Sequence, residues 1–248
     1  MDLLKSAQKN NLTSTTMPSE KLAEYDLGGV DCQRCGNTGQ IIEQGPGLLE
    51  IHVYECPCMK HRRSLRSLRK AGMENMAVRY TFDSYQTDTP HREKIKHLAR
   101  DFVKADSGWF FIAGQSGSGK THICTAICTG LMEERASEIY FMPWIDEAKE
   151  IKSRIRDAEW SQAKSKKLKT VPVLYIDDFG KGGLNDADLK LAFEILNARY
   201  NNTALRTIIS CEMPIDDILR ADEALGGRIY ERSQGFIVRA PVENWRLK

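Results

Sequence analysis

Trp109-Phe-Phe-Ile-Ala-Gly114-Gln-Ser-Gly-Ser-Gly-Lys120-Thr121 decides how the rest of this 248-residue chain is read. Trp109–Ala113 is an apolar strand. Gly114–Thr121 then matches G-x-x-x-x-G-K-[ST], and a helical pattern runs on from His122 to Arg135. Glycine at Gly114, Gly117 and Gly119 lets the amides of this loop, including those of Gln115, Ser116 and Ser118, curl inward around phosphates without Cβ interference. The following helix adds its positive end. Lys120 is placed to reach the β- and γ-phosphates of ATP, and Thr121 to offer a hydroxyl to Mg²⁺.

A second element supports the first. Val173-Leu-Tyr-Ile176 reads as a buried strand ending in Asp177-Asp178, the Walker B arrangement. Asp177 is the candidate Mg²⁺ residue and Asp178 the candidate base that polarises water, although acidic pairs at strand ends also occur as solvated turn residues. Thr207–Ser210 is another apolar strand with a polar end, so Ser210 either touches the γ-phosphate region or caps a turn. Gly226-Gly-Arg228-Ile-Tyr-Glu-Arg232 puts Arg228 and Arg232 on one face if helical. One of them could neutralise phosphoryl charge in a neighbouring subunit, and a surface salt-bridge helix is the alternative.

Around these motifs apolar runs alternate with helical patterns. Strands are expected at Trp109–Ala113, Ile139–Met142, Val173–Ile176, Thr207–Ser210 and Phe236–Val238. Helices are expected at His122–Arg135, Ile145–Ala158, Asp186–Tyr200 and Ile215–Leu219. That alternation predicts an α/β fold with a mostly parallel sheet covered on both faces. The chain is 41% hydrophobic, enough for one sizeable core and a small appendage. The N-terminus lacks a signal-peptide h-region and no apolar run approaches a membrane span, so the expectation is a cytoplasmic protein with no membrane partner. Net charge is only +2, so any affinity for nucleic acid must come from local clusters.

Four of the seven cysteines fall in residues 28–58, as Cys32-x2-Cys35 and Cys56-Pro-Cys58. Two close pairs on turns suit tetrahedral Zn²⁺ with four thiolates, and a metal explains how so apolar-poor a stretch folds. His52 and His61 are possible substitutes for one cysteine. Cys124, Cys128 and Cys211 read as core residues. Two basic tracts follow, Lys60–Lys70, read as a helix ended by Gly72, and Lys149–Lys169, with Trp144 and Trp160 nearby. Lys164, Lys166, Lys167 and Lys169 are candidate contacts to single-stranded DNA, phosphates meeting lysines and bases stacking on rings. Solvated charged faces are the alternative. The expected division is a loose arm over 1–27, a zinc module with its basic helix over 28–72, and an ATPase domain over 73–248.

Taken together, the motifs resemble the DnaC/DnaI-type helicase loaders of phages and prophages, with IstB-type transposition ATPases as close relatives. The segments that carry the resemblance are Cys32-Gln-Arg-Cys35-Gly-Asn-Thr-Gly39, Cys56-Pro-Cys58, Tyr80-Thr-Phe-Asp-Ser-Tyr85, the P-loop, Val173–Gly180, Ile208-Ile-Ser-Cys-Glu-Met-Pro214 and Gly227–Arg232. The resemblance implies an AAA+ P-loop NTPase with a five-stranded parallel sheet and Ser210 at the sensor-1 position. It implies Arg232 or Arg228 as an arginine finger across a homo-oligomer interface, and a single-strand DNA contact within about Pro143–Lys169. The zinc module would grip a DnaB-type replicative helicase. Asp178 stands where many relatives have Glu, which implies slow hydrolysis, and no C-terminal helical lid is expected. The rival readings are a transposition helper ATPase acting on duplex DNA and an ATP-gated DNA-binding adaptor with little turnover. A small-molecule kinase is disfavoured because no acceptor-binding segment is evident.

Overall fold

Two strands, β3 (Trp109–Ala113) and β6 (Arg206–Cys211), are buried at every position, as the middle of a sheet covered on both faces requires. They pair in parallel, Trp109 opposite Thr207 through Ala113 opposite Cys211. Beyond β6 lie β5 (Val173–Phe179) and β4 (Ile139–Pro143), and beyond β3 lies β7 (Ile237–Arg239). The order is β4-β5-β6-β3-β7 and every pairing is parallel, the five-stranded sheet that the resemblance implied. This computed structural model describes residues 32–242 apart from 46, 48, 49, 60, 61, 63–65, 67, 68 and 136. The arm over 1–27, most of the Lys60–Lys70 tract and His61 therefore lie outside the described residues.

Alternate residues of β3 enter two cores. Phe110 and Ile112 pack with Ala77 of α1 (Glu74–Arg79), Ile95 and Phe102 of α2 (Pro90–Lys104) and Ile127 of α3 (Lys120–Arg135). Trp109, Phe111 and Ala113 face the other helices: α4 (Trp144–Ser153), α5 (Ala158–Thr170), α6 (Asp186–Tyr200), α7 (Ile215–Ala221) and α8 (Glu223–Arg232). Because β5, β6 and β3 are neighbours, their C-terminal ends bring Asp177–Asp178, Ser210 and Gly114 to one edge of the sheet. A ligand site in an open α/β fold belongs at that edge.

The opposite edge is closed by two buried arginines on backbone oxygens. Arg199 donates to the carbonyls of Leu168, Val171 and Arg206 and to Thr207 Oγ1, at 2.7–3.0 Å. Arg206 donates to the carbonyls of Phe102 and Val103. Leu168 and Phe102 belong to the last turns of α5 and α2, whose unpaired carbonyls attract a cation. Burial brings the Arg199 pKa down to about 9, so the guanidinium stays charged at neutral pH.

Several elements differ from the sequence expectation, the short α1 among them. Ile145–Ala158 is not one helix: α4 stops at Ser153 and α5 starts at Ala158, where Asp157 accepts the Trp160 amide as N-cap. No Gly or Pro marks that break, so periodicity ran through it. α2 was not anticipated, although Thr89 caps it by accepting the Arg92 amide and Pro90 opens it. In the first unit, β1 (Gln40–Gln44) and β2 (Ile51–Glu55) form an antiparallel hairpin where the sequence suggested only turns. The chain divides into Met1–Arg62 and Arg63–Lys248. No helix among the described residues is long and apolar enough to cross a membrane.

Candidate nucleotide site and cysteine cluster

The P-loop residues surround a cavity of about 410 Å³ lined by Ser116–His122, Arg79, Tyr80, Tyr85, Arg92 and Asp178. Gly117 and Gly119 adopt φ of 78° and 91°, a region costly to any residue with a Cβ. Gly114 is needed for a different reason, since a Cβ there would lie 2.8 Å from Ala240 Cβ. Lys120, the first residue of α3, is 4% exposed. Its Nζ donates to Gly114 O at 2.7 Å and Gln115 O at 3.0 Å, within the loop. Burial lowers its pKa, and the nearby carboxylates of Asp178, Glu212 and Asp177 oppose that shift.

Thr121 and Asp177 come together as the sequence reading requires of an Mg²⁺ pair, with Thr121 Oγ1 3.3 Å from Asp177 Oδ1. Asp177 Oδ1 also accepts from Tyr175 OH at 2.5 Å and Ser210 Oγ at 2.6 Å. Ser210 Oγ in turn accepts the Asp178 amide at 2.9 Å. This last contact is possible because β5 bulges against β6, Ile176 facing Ile209 but Phe179 facing Cys211. The extra residue puts Asp178 at φ 52°. A bulge re-aims a side chain, and here the Asp178 side chain lines the cavity.

Part of the cavity lining is aromatic. His122 stacks beside Tyr80 and Tyr85, ring centroids 5.0 and 5.2 Å away. Its Nε2 lies 2.9 Å from Thr81 O and 3.2 Å from Ser84 Oγ. Burial pulls the imidazole pKa below its ordinary value, so the ring at the loop's exit is uncharged at neutral pH. The sequence reading noted Tyr80 and Tyr85 but not His122. The signal was its position directly after Thr121.

Arg228 and Arg232 both lie on α8. Arg228 donates to Asn197 Oδ1 and Ala224 O, each at 2.8 Å, and its guanidinium sits over Phe193. Arg232 donates to Thr203 O at 3.2 Å and lies 5.9 Å from the Trp109 ring. Trp109 begins the strand whose end leads into the P-loop. Arg232 is thus roughly a strand length, ~13 Å at ~3.3 Å per residue, from the phosphate loop of its own chain.

Three of the four candidate DNA lysines have intramolecular partners. Lys164 is paired with Glu147 and donates to Tyr140 OH at 2.6 Å. Lys167 pairs with Glu138 at 2.6 Å, and Lys169 with Glu194 at 2.5 Å. Lys166 is exposed. Trp160 carries the Arg154 guanidinium over its ring at 4.2 Å.

In the first unit the four cysteines converge, their Sγ atoms all within 4.8 Å of one another. Cys32–Cys56 and Cys35–Cys58 are 3.8 and 3.6 Å apart, far beyond a disulfide and close to the ~3.8 Å edge of a tetrahedron with ~2.3 Å metal–sulfur bonds. The hairpin causes this, returning Cys56 to donate its amide to Gly39 O. Asn37, at φ 68°, accepts the Cys32 amide on its side chain and is clamped by Arg62. Desolvation opposes ionisation of Cys35, yet the Gly39 amide and the other thiols hold its pKa down to about 7. These residues can hold a divalent metal. His52 instead lies 3.4 Å from Glu50 and outside the cluster.

The family model described as IstB-like ATP binding protein matches residues 47–244. Phage-like element PBSX protein XkdC of Bacillus subtilis (strain 168) is 30% identical over 89% of this chain and 86% of its own length. The insertion sequence IS232 putative ATP-binding protein of Bacillus thuringiensis subsp. berliner is 23% identical over 66% of this chain and 65% of its own. Among solved structures, the DnaC helicase loader superposes with a TM-score of 0.57 at 20% identity, over 66% of this chain and 98% of that one. DnaI does so with a TM-score of 0.53 at 20% identity, over 68% and 91%. At that identity the structural likeness establishes the fold alone, the AAA+ P-loop arrangement.

Proposed function

The chain belongs to the IstB-like ATP binding protein family, and on that premise we propose that it is an AAA+ ATPase that loads a DnaB-type replicative helicase onto single-stranded DNA. The observation that carries the ATPase part is the single hydrogen-bonded group Thr121–Asp177–Ser210–Asp178 at the mouth of the P-loop.

The amides of Gly114–Gly119 and the Lys120 ammonium bind the phosphates of ATP. Thr121 and Asp177 would hold Mg²⁺, which when bound supplies positive charge against the phosphate oxygens. Ser210 and Tyr175 fix the Asp177 carboxylate so that it does not swing away. Asp178 orients the attacking water and takes its proton. Arg232 or Arg228 acts on the site of a neighbouring subunit in a homo-oligomer, a role supported for Arg232 by its place beside Trp109, at the end of β3 away from the P-loop.

The proposed organisation is an arm over 1–27, a helicase-gripping module over 28–72 that holds Zn²⁺ on Cys32, Cys35, Cys56 and Cys58, and the ATPase domain over 73–248. Support for the loader reading comes from the likeness to a phage-like element protein and from the separate cysteine unit ahead of the ATPase. A transposition helper is the second reading, favoured by the insertion-sequence relative. Hydrolysis measured on Lys120→Ala and Asp178→Asn tests the common part. The first should lose nucleotide binding, and the second should keep binding and lose turnover. Unchanged turnover in both variants would overturn the site assignment.

A further inference from the structure

Lys181 played no part in the sequence reading, yet its Nζ lies 2.6 Å from Asp178 Oδ2. The contact is built by the backbone. Lys181 donates its amide to Asp178 O at 3.1 Å, closing a turn through Phe179 and Gly180. Gly180 has φ 66°, and a Cβ there would lie 2.7 Å from Met213 Cε, so the turn is confined to glycine at that position. At the turn's first residue, Asp178 is itself pinned by its amide to Ser210. On its far side Lys181 lies 3.8 Å from Glu212 Oε1. Glu212 follows β6 directly, two residues after Ser210. The edge of the site therefore alternates in sign: Lys120, Asp178, Lys181, Glu212.

We propose that Lys181 is a positioning residue for Asp178 and its countercharge beside the terminal phosphate. The inference rests on the ATP-site reading above and deepens it. Asp178 lines the same cavity as the P-loop, so its carboxylate must share that space with the γ-phosphate of ATP, a like charge that ADP lacks. A cation on Oδ2 offsets the repulsion and leaves Oδ1 as the acceptor for water. Aspartate is shorter than glutamate by one methylene, so its reach depends more on where its two oxygens are held.

Nucleotide affinity tests this without relying on turnover. Dissociation constants for Mg²⁺-ATP and Mg²⁺-ADP are measured on the full chain, the Lys181→Ala, Lys181→Arg and Asp178→Asn variants, and the Lys181→Ala/Asp178→Asn double variant. Lys181→Ala should weaken ATP about five- to tenfold, the scale of a partly buried ion pair beside a third charge, and leave ADP unchanged. Lys181→Arg should restore most of the loss. The double variant should bind ATP like Asp178→Asn alone, because the charge that Lys181 offsets is then gone. Single-turnover hydrolysis by Lys181→Ala at saturating ATP should fall as well. Equal weakening of ATP and ADP, an unrepaired double variant, or faster hydrolysis by Lys181→Ala overturns the proposal while the ATP site stands. If the full chain bound neither nucleotide, the site reading itself would fall and this inference with it. Unchanged ADP affinity also shows that each variant is folded.

Discussion

Ser210 joins the two acidic residues of the site, donating to Asp177 Oδ1 at 2.6 Å and accepting the Asp178 amide at 2.9 Å. It is fully buried, so these bonds have no water to replace them. Ser210→Ala removes both and leaves Asp178 to hold its strained φ with the Lys181 contacts only. Turnover should fall about ten- to a hundredfold, within the range for losing one positioning group, while ATP affinity changes only a few-fold. Stability should drop by about 1–3 kcal/mol in urea titrations, because the Asp178 amide and Asp177 each lose a partner. A Ser210→Ala protein with wild-type turnover would assign the serine to turn capping only.

The cysteine cluster gives a prediction that is independent of ATP. Purified protein should contain about one Zn²⁺ per chain, as one tetrahedral site demands. Cys56→Ser should lose it, and mild chelation should unfold the first unit while ATP affinity persists. Metal-free protein whose Gln40–Glu55 hairpin amides stay protected from hydrogen exchange would contradict the metal's structural role.

Much of the second unit was legible because its signals are local. All five strands of the parallel sheet lie where apolar runs placed them, and β3 and β6, buried at every position, need no partner to be recognised. The P-loop was legible for a local reason too, as Gly117 and Gly119 answer backbone demands within eight residues. What escaped depended on distant partners. The α4–α5 break turns on one capping carboxylate, Asp157, inside a charged run that suits either a helix or a loop. The hairpin at Gln40–Glu55 is visible only once Cys56 is known to return to Cys32. Lys181 drew no reading at all, because nothing local says that a bulge turns Asp178 toward it.

The lysine tract illustrates the same limit. Lys164 and Glu147 are largely shielded, at 14% and 17% exposure of their side chains. Lys164→Ala should therefore destabilise the domain by about 1–3 kcal/mol, leaving Tyr140 without its donor and Glu147 with the Tyr140 hydroxyl in place of its ion pair. Lys166→Ala should leave stability unchanged, as exposed substitutions usually do. If the tract contacts single-stranded DNA, Lys166→Ala should also reduce the salt slope of binding by less than one unit. Equal melting points for Lys164→Ala and the wild type would show that the Glu147 pair contributes nothing.

The two arginines of α8 can be separated by mixing. Arg232→Ala and Arg228→Ala should each bind ATP normally. The variant lacking the finger should regain hydrolysis when mixed with Lys120→Ala chains, which carry the finger but cannot bind nucleotide. Arg228 is tied to Asn197 and stacked on Phe193, so Arg228→Ala should also lower the melting temperature. Full hydrolysis by both variants alone would remove α8 from the reaction.

The central claim is that ATP on this P-loop drives a helicase onto DNA, and loading is its most direct measure. A DnaB-type replicative helicase is offered single-stranded DNA coated with single-strand-binding protein, and strand unwinding is followed with and without the full chain. The account predicts that unwinding requires the chain and ATP, and is lost with Lys120→Ala and with deletion of residues 1–70, which spares ATP binding. Unwinding unaffected by the chain, together with its ATP-dependent association with a transposase on duplex DNA, would contradict the loader reading and establish the transposition helper in its place.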